Sequence, residues 1–184
     1  MPFLGRPLIL RIIERLQSLT DDVFVMTDRL DDFAFLGLPL HPDLEPGCGA
    51  LGGLGGALHA ARNPLVALVG CDLPFASLAL FKHARDLMIA TGADIVIPST
   101  ATGLEPLHSV YRQATCLPVV QATLSAGERK VIAWFPKVKV QTLSVEETAG
   151  YDPQALAFWN LNTPEEFRQA EAQARLAERG QGSV

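Results

Sequence analysis

The run at residues 65–75, LVALVGCDLPF, constrains the fold of this chain more than any other stretch. From Leu65 to Gly70 every residue is apolar or glycine, and Val66 and Val69 favour an extended backbone. A short, wholly apolar run predicts a strand buried on both faces, the condition of a parallel sheet covered by helices. Pro74 has no amide donor and biases Leu73 away from helical angles, so the strand ends close to this point. Asp72 then falls at the carboxyl end of a central strand, where open α/β sheets collect their ligands. Its carboxylate is a hard oxygen donor of the kind that holds magnesium bridged to phosphate. An aspartate in this position is also a common turn former, but a glycine-rich segment lies just upstream and favours the ligand role. Asp72 is the first candidate catalytic and metal-binding residue.

The surrounding chain alternates helix and strand. Leu8, Ile9, Ile12, Ile13 and Leu16 fall on one face of a helix, with Pro7 in its first turn. Residues 23–26 read as a strand followed by Thr27-Asp28-Arg29, and residues 36–40 as an extended piece turned by Pro42-Asp43. Six glycines then fall within residues 47–56. Residues 46–49 read as a loop and 51–61 as a helix whose glycines permit close approach of backbone or ligand. The loop exposes backbone N–H groups, a nest for an anion or a base edge, and Asp43 precedes it as a candidate for the same crevice. Farther on, residues 76–91 read as a helix, 93–98 and 107–111 as strands, and 114–126 as a helix interrupted by Pro118 and capped by Gly127. Residues 131–135 fit helix or strand equally, and 138–145 alternate like a strand. Thr163-Pro164-Glu165-Glu166 carries the cap signal of a last helix that ends near Glu178 and loosens over 179–184. This alternation predicts one three-layer α/β/α domain over residues 1–184, with a mostly parallel central sheet.

Composition narrows the functional classes. A chain of 184 residues with 48% apolar and 19% charged side chains can bury a core of its own. Twenty acidic against fifteen basic residues argue against nucleic acid as a partner. No apolar run has the length of a membrane span, and the amino terminus lacks the pattern of a secretion signal. Cys48, Cys71 and Cys116 form no metal-ligand spacing, and their odd number suggests reduced thiols in the cytoplasm. Cys71 beside Asp72 is not expected to be a nucleophile, because no histidine lies near it in sequence and the strand around it reads as buried. Glu105 and His108, at a polar-to-apolar transition, are candidates for substrate contact. Arg129, with Lys130, is a candidate phosphate contact as well as an ordinary solvated cation. Signatures of serine hydrolases, zinc proteases and P-loop enzymes are absent.

Three stretches carry a resemblance: Leu40-His41-Pro42-Asp43, then Gly47 through Leu54, GCGALGGL, then Gly70-Cys71-Asp72-Leu73-Pro74-Phe75. With Glu105 through Tyr111, EPLHSVY, Ala126 through Val131, AGERKV, and Asn160 through Glu165, NLNTPE, they resemble molybdenum cofactor guanylyltransferases and their nucleotidyltransferase relatives. The likeness runs in the family's order over nearly the whole chain. It implies a Rossmann-like nucleotidyltransferase fold that joins GMP from magnesium GTP to the phosphate of molybdopterin, or of the molybdenum cofactor, and releases pyrophosphate. By resemblance, Asp72 is the magnesium-binding aspartate and Asp43 contacts the nucleotide. Met26 and Asp28 lie near the guanine, although the family usually has asparagine where Met26 stands. Gly49, Leu51 and Gly52 are implied in binding nucleotide, Glu105 and His108 in presenting the cofactor site, and Arg129 in meeting phosphate. Small molecules are the implied partners, with transient contacts to cofactor-biosynthesis or acceptor proteins. A CTP-dependent cytidylyltransferase and a noncatalytic nucleotide- or cofactor-binding homologue are the alternatives.

The resemblance also carries an expectation about the front of the domain. Family members open with a strand and a glycine-rich loop, LAGG and then a basic run ending in Asp-Lys, which holds the triphosphate. Residues 1–9, MPFLGRPLI, resemble the family's segment just after that lysine. The sequence as it stands therefore predicts a domain without the first strand and phosphate loop. Unpaired strand edges and little or no transferase activity are the expected consequences.

Overall fold

The structure, a computed structural model, describes residues 2–181. Its elements in chain order are β1 (Pro2–Phe3), β2 (Arg6–Pro7), α1 (Leu8–Leu16), β3 (Val25–Met26), α2 (Leu30–Phe33), β4 (Leu40–His41), α3 (Gly49–Ala60) and β5 (Leu65–Val69). After them come α4 (Leu78–Thr91), β6 (Ile95–Thr100), β7 (Gly103–Leu104), β8 (His108–Arg112), α5 (Gln113–Ser125), β9 (Val140–Leu143), α6 (Val145–Tyr151) and α7 (Pro164–Gln181). Strands β5, β8, β6 and β7 pair in that order, and β9 pairs with β6.

Alternation along β6 builds the two faces of this sheet, because successive strand side chains point to opposite sides. Ile95 and Ile97 join Val66, Tyr111 and Trp134 in a core closed by α3 and α5 through Leu51, Leu54, Val120 and Leu124. Val96 faces the other way with Val110 and Leu143, under Leu80, Phe81, Ala84 and Met88 of α4. A third cluster seats Phe3 and α1 against Ala170 and Ala174 of α7. This is the expected layered α/β arrangement.

The sheet is mixed. β6 and β9 are parallel, whereas β8 runs antiparallel to both β5 and β6, so β5, β6 and β9 share one direction and β8 opposes it. The short link through β7 explains the reversal, since a parallel return needs a longer crossover. The strands do not form one sheet: β3 and β4 form a separate parallel pair, and β5 pairs among the described residues with β8 alone. Burial of β5 on both faces is not achieved either, because Ala67 is exposed.

Caps account for the remaining differences. The expected strand at 138–145 is cut to β9 because Ser144 starts α6. The Ser144 hydroxyl accepts from the Glu147 N–H, and the Glu147 carboxylate accepts from the Ser144 N–H. Thr163 and Glu166 form the expected reciprocal cap of α7, which runs to Gln181, three residues past its expected end. Residues 182–184, expected to be loose, lie outside the described residues. Pro118 sits inside α5 without ending it, and Gly127 comes next at φ 80°, its N–H on the Leu124 carbonyl.

Candidate active site

Three aspartates each come after the carboxyl end of a strand: Asp28 after β3, Asp43 after β4 and Asp72 after β5. The first two are tied directly, since the Asp28 carboxylate accepts from the Asp43 N–H at 3.0 Å. Helix α3 closes on this pair because one of its faces is glycine. A methyl group on Gly52 would stand 2.9 Å from the Glu45 carbonyl, and one on Gly56 would stand 3.0 Å from the Pro42 carbonyl and 2.4 Å from Met26 Cε. The Leu44 N–H reaches back to the Gly52 carbonyl at 3.4 Å. Met26, Asp28, Asp43 and Gly52 are thus gathered at one place, beside a cleft lined by Asp43, Gly56 and His59. Burial first, and the Asp28 charge second, push the Asp43 carboxyl above its ordinary value. Gly49 begins α3 at φ 56°, a conformation that suits glycine. Leu51 belongs to the core, wholly buried, so its side chain meets other core residues and not a nucleotide.

Asp72 sits in a turn anchored at several points. The Gly70 N–H donates to the Leu107 carbonyl at 2.8 Å, and the Asp72 carbonyl accepts from the Leu161 N–H at 3.1 Å. Gly70 clears the space for the carboxylate, since a Cβ there would be 2.6 Å from Asp72 Oδ1. Asp72 is half-buried, with solvent access on one side. The contact with Leu161 also brings the exposed Asn160 and Asn162 beside the turn. Sequence reasoning used the NLNTPE stretch as a family motif and a helix cap but named neither asparagine as a site residue. The signal available was two amide side chains alternating about an apolar residue.

The remaining candidates are dispersed. Glu105 accepts from the Thr100 hydroxyl at 2.9 Å, and burial raises its carboxyl against that hydrogen bond. Arg129 is exposed, and its N–H turns back on the Glu128 carboxylate. His108 is 1% exposed, enclosed by Phe81 and Phe158, so it faces the core and not a cofactor surface. Cys71 is exposed at the turn and not within the strand as expected. Its thiol is pushed up by desolvation and then by Asp72, which keeps it a poor nucleophile.

Among the described residues no group of three or more His, Cys, Asp or Glu side chains forms a metal cage. Magnesium seldom needs one: it keeps several waters and takes one or two carboxylates plus substrate phosphate oxygens. The half-buried carboxylate of Asp72 suits that habit.

Known proteins resemble this chain in both sequence and fold. The family model for the MobA-like NTP transferase domain matches residues 1–141. The chain is 32% identical over 168 residues to a molybdenum cofactor guanylyltransferase of Desulfosudis oleivorans, covering 91% of this chain and 82% of the relative. It is 32% identical over 145 residues to a probable molybdenum cofactor guanylyltransferase of Pelotomaculum thermopropionicum, covering 79% of this chain and 69% of the relative. In fold it is similar to the crystal structure of molybdopterin-guanine dinucleotide biosynthesis protein A from Archaeoglobus fulgidus, with a TM-score of 0.81, 24% identity, and coverage of 95% of this chain and 89% of that one. A 2-C-methyl-D-erythritol 4-phosphate cytidylyltransferase from Thermus thermophilus shares the fold at a TM-score of 0.68 and 17% identity, with 93% and 90% covered.

Proposed function

The chain belongs to the family of MobA-like NTP transferase domains, and on that premise we propose that it transfers GMP from GTP to molybdopterin or the molybdenum cofactor. A phosphate oxygen of the cofactor attacks the α-phosphorus of GTP, the bond to the β-phosphate oxygen breaks, and pyrophosphate leaves. The observation that carries the reading is Asp72, held in an anchored turn at the end of β5, in a chain whose relatives bear the name guanylyltransferase. Magnesium, when bound, offsets the charge that develops on the phosphate oxygens, and Asp72 is the residue that would hold it. Asp43 and Asp28, with the glycine face of α3, are the proposed nucleotide contacts. Asn160 and Asn162, beside the turn, are proposed to reach a group bound at Asp72.

The names of the relatives favour GTP, and none of the features described favours CTP. A cytoplasmic setting is proposed on the odd number of cysteines and the lack of a secretion-signal pattern in the sequence. No helix among the described residues is long and apolar enough to cross a membrane.

The test is a paired assay. With magnesium, GTP and molybdopterin, the purified chain is expected to release pyrophosphate only slowly, in keeping with the expectation for its front end, and Asp72→Asn to lower that residual rate by about 100-fold or more with its melting temperature little changed. In competition for a fluorescent GTP analogue, GTP should displace at lower concentration than CTP. Equal or CTP-favoured displacement removes the guanine assignment, and full activity of Asp72→Asn removes Asp72 from the mechanism.

A further inference from the structure

The peptide group between Ala76 and Ser77 is gripped from both sides. Its carbonyl accepts from Arg15 Nε and Nη2 at 3.1 and 3.0 Å, and its N–H donates to His108 Nε2 at 2.8 Å. Because Nε2 accepts, the imidazole must be the neutral tautomer with its proton on Nδ1. That Nδ1 has no hydrogen-bond partner among the described residues, although the side chain is buried. A buried donor left unsatisfied costs about 1–3 kcal/mol, a penalty that phenylalanine or leucine in the same space would not incur. Space-filling therefore does not account for a histidine here, and acceptance from Ser77 does. Packing fixes the ring: it stacks on Phe81 at 4.2 Å with 4° between the planes and meets the edge of Phe158 at 5.2 Å.

The neighbour of His108 completes the arrangement. The Leu107 carbonyl takes the Gly70 N–H, so two successive residues hold both ends of the 70–77 turn. Asp72 lies between those ends. We infer that His108 and Arg15 are positioning residues that pin the Ala76–Ser77 peptide and so set the aim of the Asp72 carboxylate. Neither touches the reacting groups. This deepens the proposed function and rests on it for its catalytic meaning, while the structural coupling stands on its own geometry.

The experiment compares His108→Gln, whose Oε1 can still accept from Ser77, with His108→Phe, which keeps a ring against Phe81 but offers no acceptor. In backbone amide NMR spectra of the metal-free chain, His108→Phe is expected to speed hydrogen exchange at Ser77 about tenfold or more. It should also shift the resonances of residues 70–77, Asp72 included, while Met88 and Val96 stay in place. His108→Gln should keep both the exchange rate and the shifts near wild type. In the transfer assay, His108→Phe should lower kcat about tenfold and raise the half-saturating magnesium concentration, with KM for GTP within about twofold; His108→Gln should restore kcat. Unshifted 70–77 resonances in His108→Phe overturn the inference, as does a glutamine variant perturbed as far as the phenylalanine one. If His108→Phe does not fold, Arg15→Lys decides, because lysine keeps the charge but not the two-pronged grip. Its 70–77 resonances should move, and a spectrum that does not move overturns the inference. A wild-type chain without GMP transfer counts against the proposed function alone, since the amide measurements still decide the coupling.

Discussion

Asp72 owes its direction to Gly70 as much as to the strand before it. Gly70 is not in the left-handed region, so its backbone tolerates alanine, yet the added methyl would lie 2.6 Å from Asp72 Oδ1. Something must give, and the carboxylate is the freer partner. Gly70→Ala is therefore expected to fold with a melting temperature within a few degrees of wild type and to lose magnesium-dependent transfer by about 100-fold, the scale of an ångström's misplacement. Unchanged transfer in that variant would mean that the carboxylate's direction does not matter. The strand-end positions of Asp28, Asp43 and Asp72 were legible in the sequence, because each comes after a local pattern of extended residues and then a turn. The groups that orient Asp72 were not legible. Arg15 lies 61 residues from Ala76 and His108 lies 31 from Ser77, and no local signal predicts a contact over that span.

Among the elements, α3 shows best how glycine serves two ends. Gly56 is required by contact, since a methyl there meets the Pro42 carbonyl and the Leu44 amide nitrogen, both backbone atoms that cannot swing aside. Gly56→Ala should push α3 off the 42–45 segment and cost about 1–3 kcal/mol, read from urea midpoints. Gly53 is different: a methyl there meets only Asp43 Oδ1 at 3.5 Å, an ordinary contact. Gly53→Ala should instead stabilise by about 0.5–1 kcal/mol, because alanine loses less freedom in a helix. A loss of stability in Gly53→Ala, or none in Gly56→Ala, would remove close packing as the reason for the glycines. The helix itself was legible from its alanines and leucines, and only the packing partners of each glycine needed coordinates. The opposite holds for α6. Its cap residues, Ser144 and Glu147, were present to be read, but the alternation of VKVQTLSV ran through Ser144 and suggested a longer strand.

At the scale of the whole molecule the layered α/β order was readable from alternation, whereas the reversed β8 was not, because strand direction depends on link length and pairing partner. Burial at that same strand gives the fold a pH dependence whose sign can be worked out. Burial first, and then the Arg15 charge, lower the His108 pKa from 6.5 to about 4. Between those values the unfolded chain takes up a proton that the folded chain refuses, so stability falls as pH drops from about 6.5 to about 4. Below about 4 both states carry the proton and no more is lost. The span corresponds to roughly 3 kcal/mol. Asp43 and Glu105 act in the opposite sense, since burial raises both carboxyls and their penalty is relieved as pH falls. The comparison that isolates His108 is wild type against His108→Gln, in which those carboxyls are retained and position 108 does not titrate. Between pH 7 and pH 4.5, urea unfolding should show wild type losing about 2–3 kcal/mol more than the variant. Equal losses in the two proteins would mean that position 108 takes its proton as readily folded as unfolded, so that burial does not hold the imidazole neutral below its ordinary pKa.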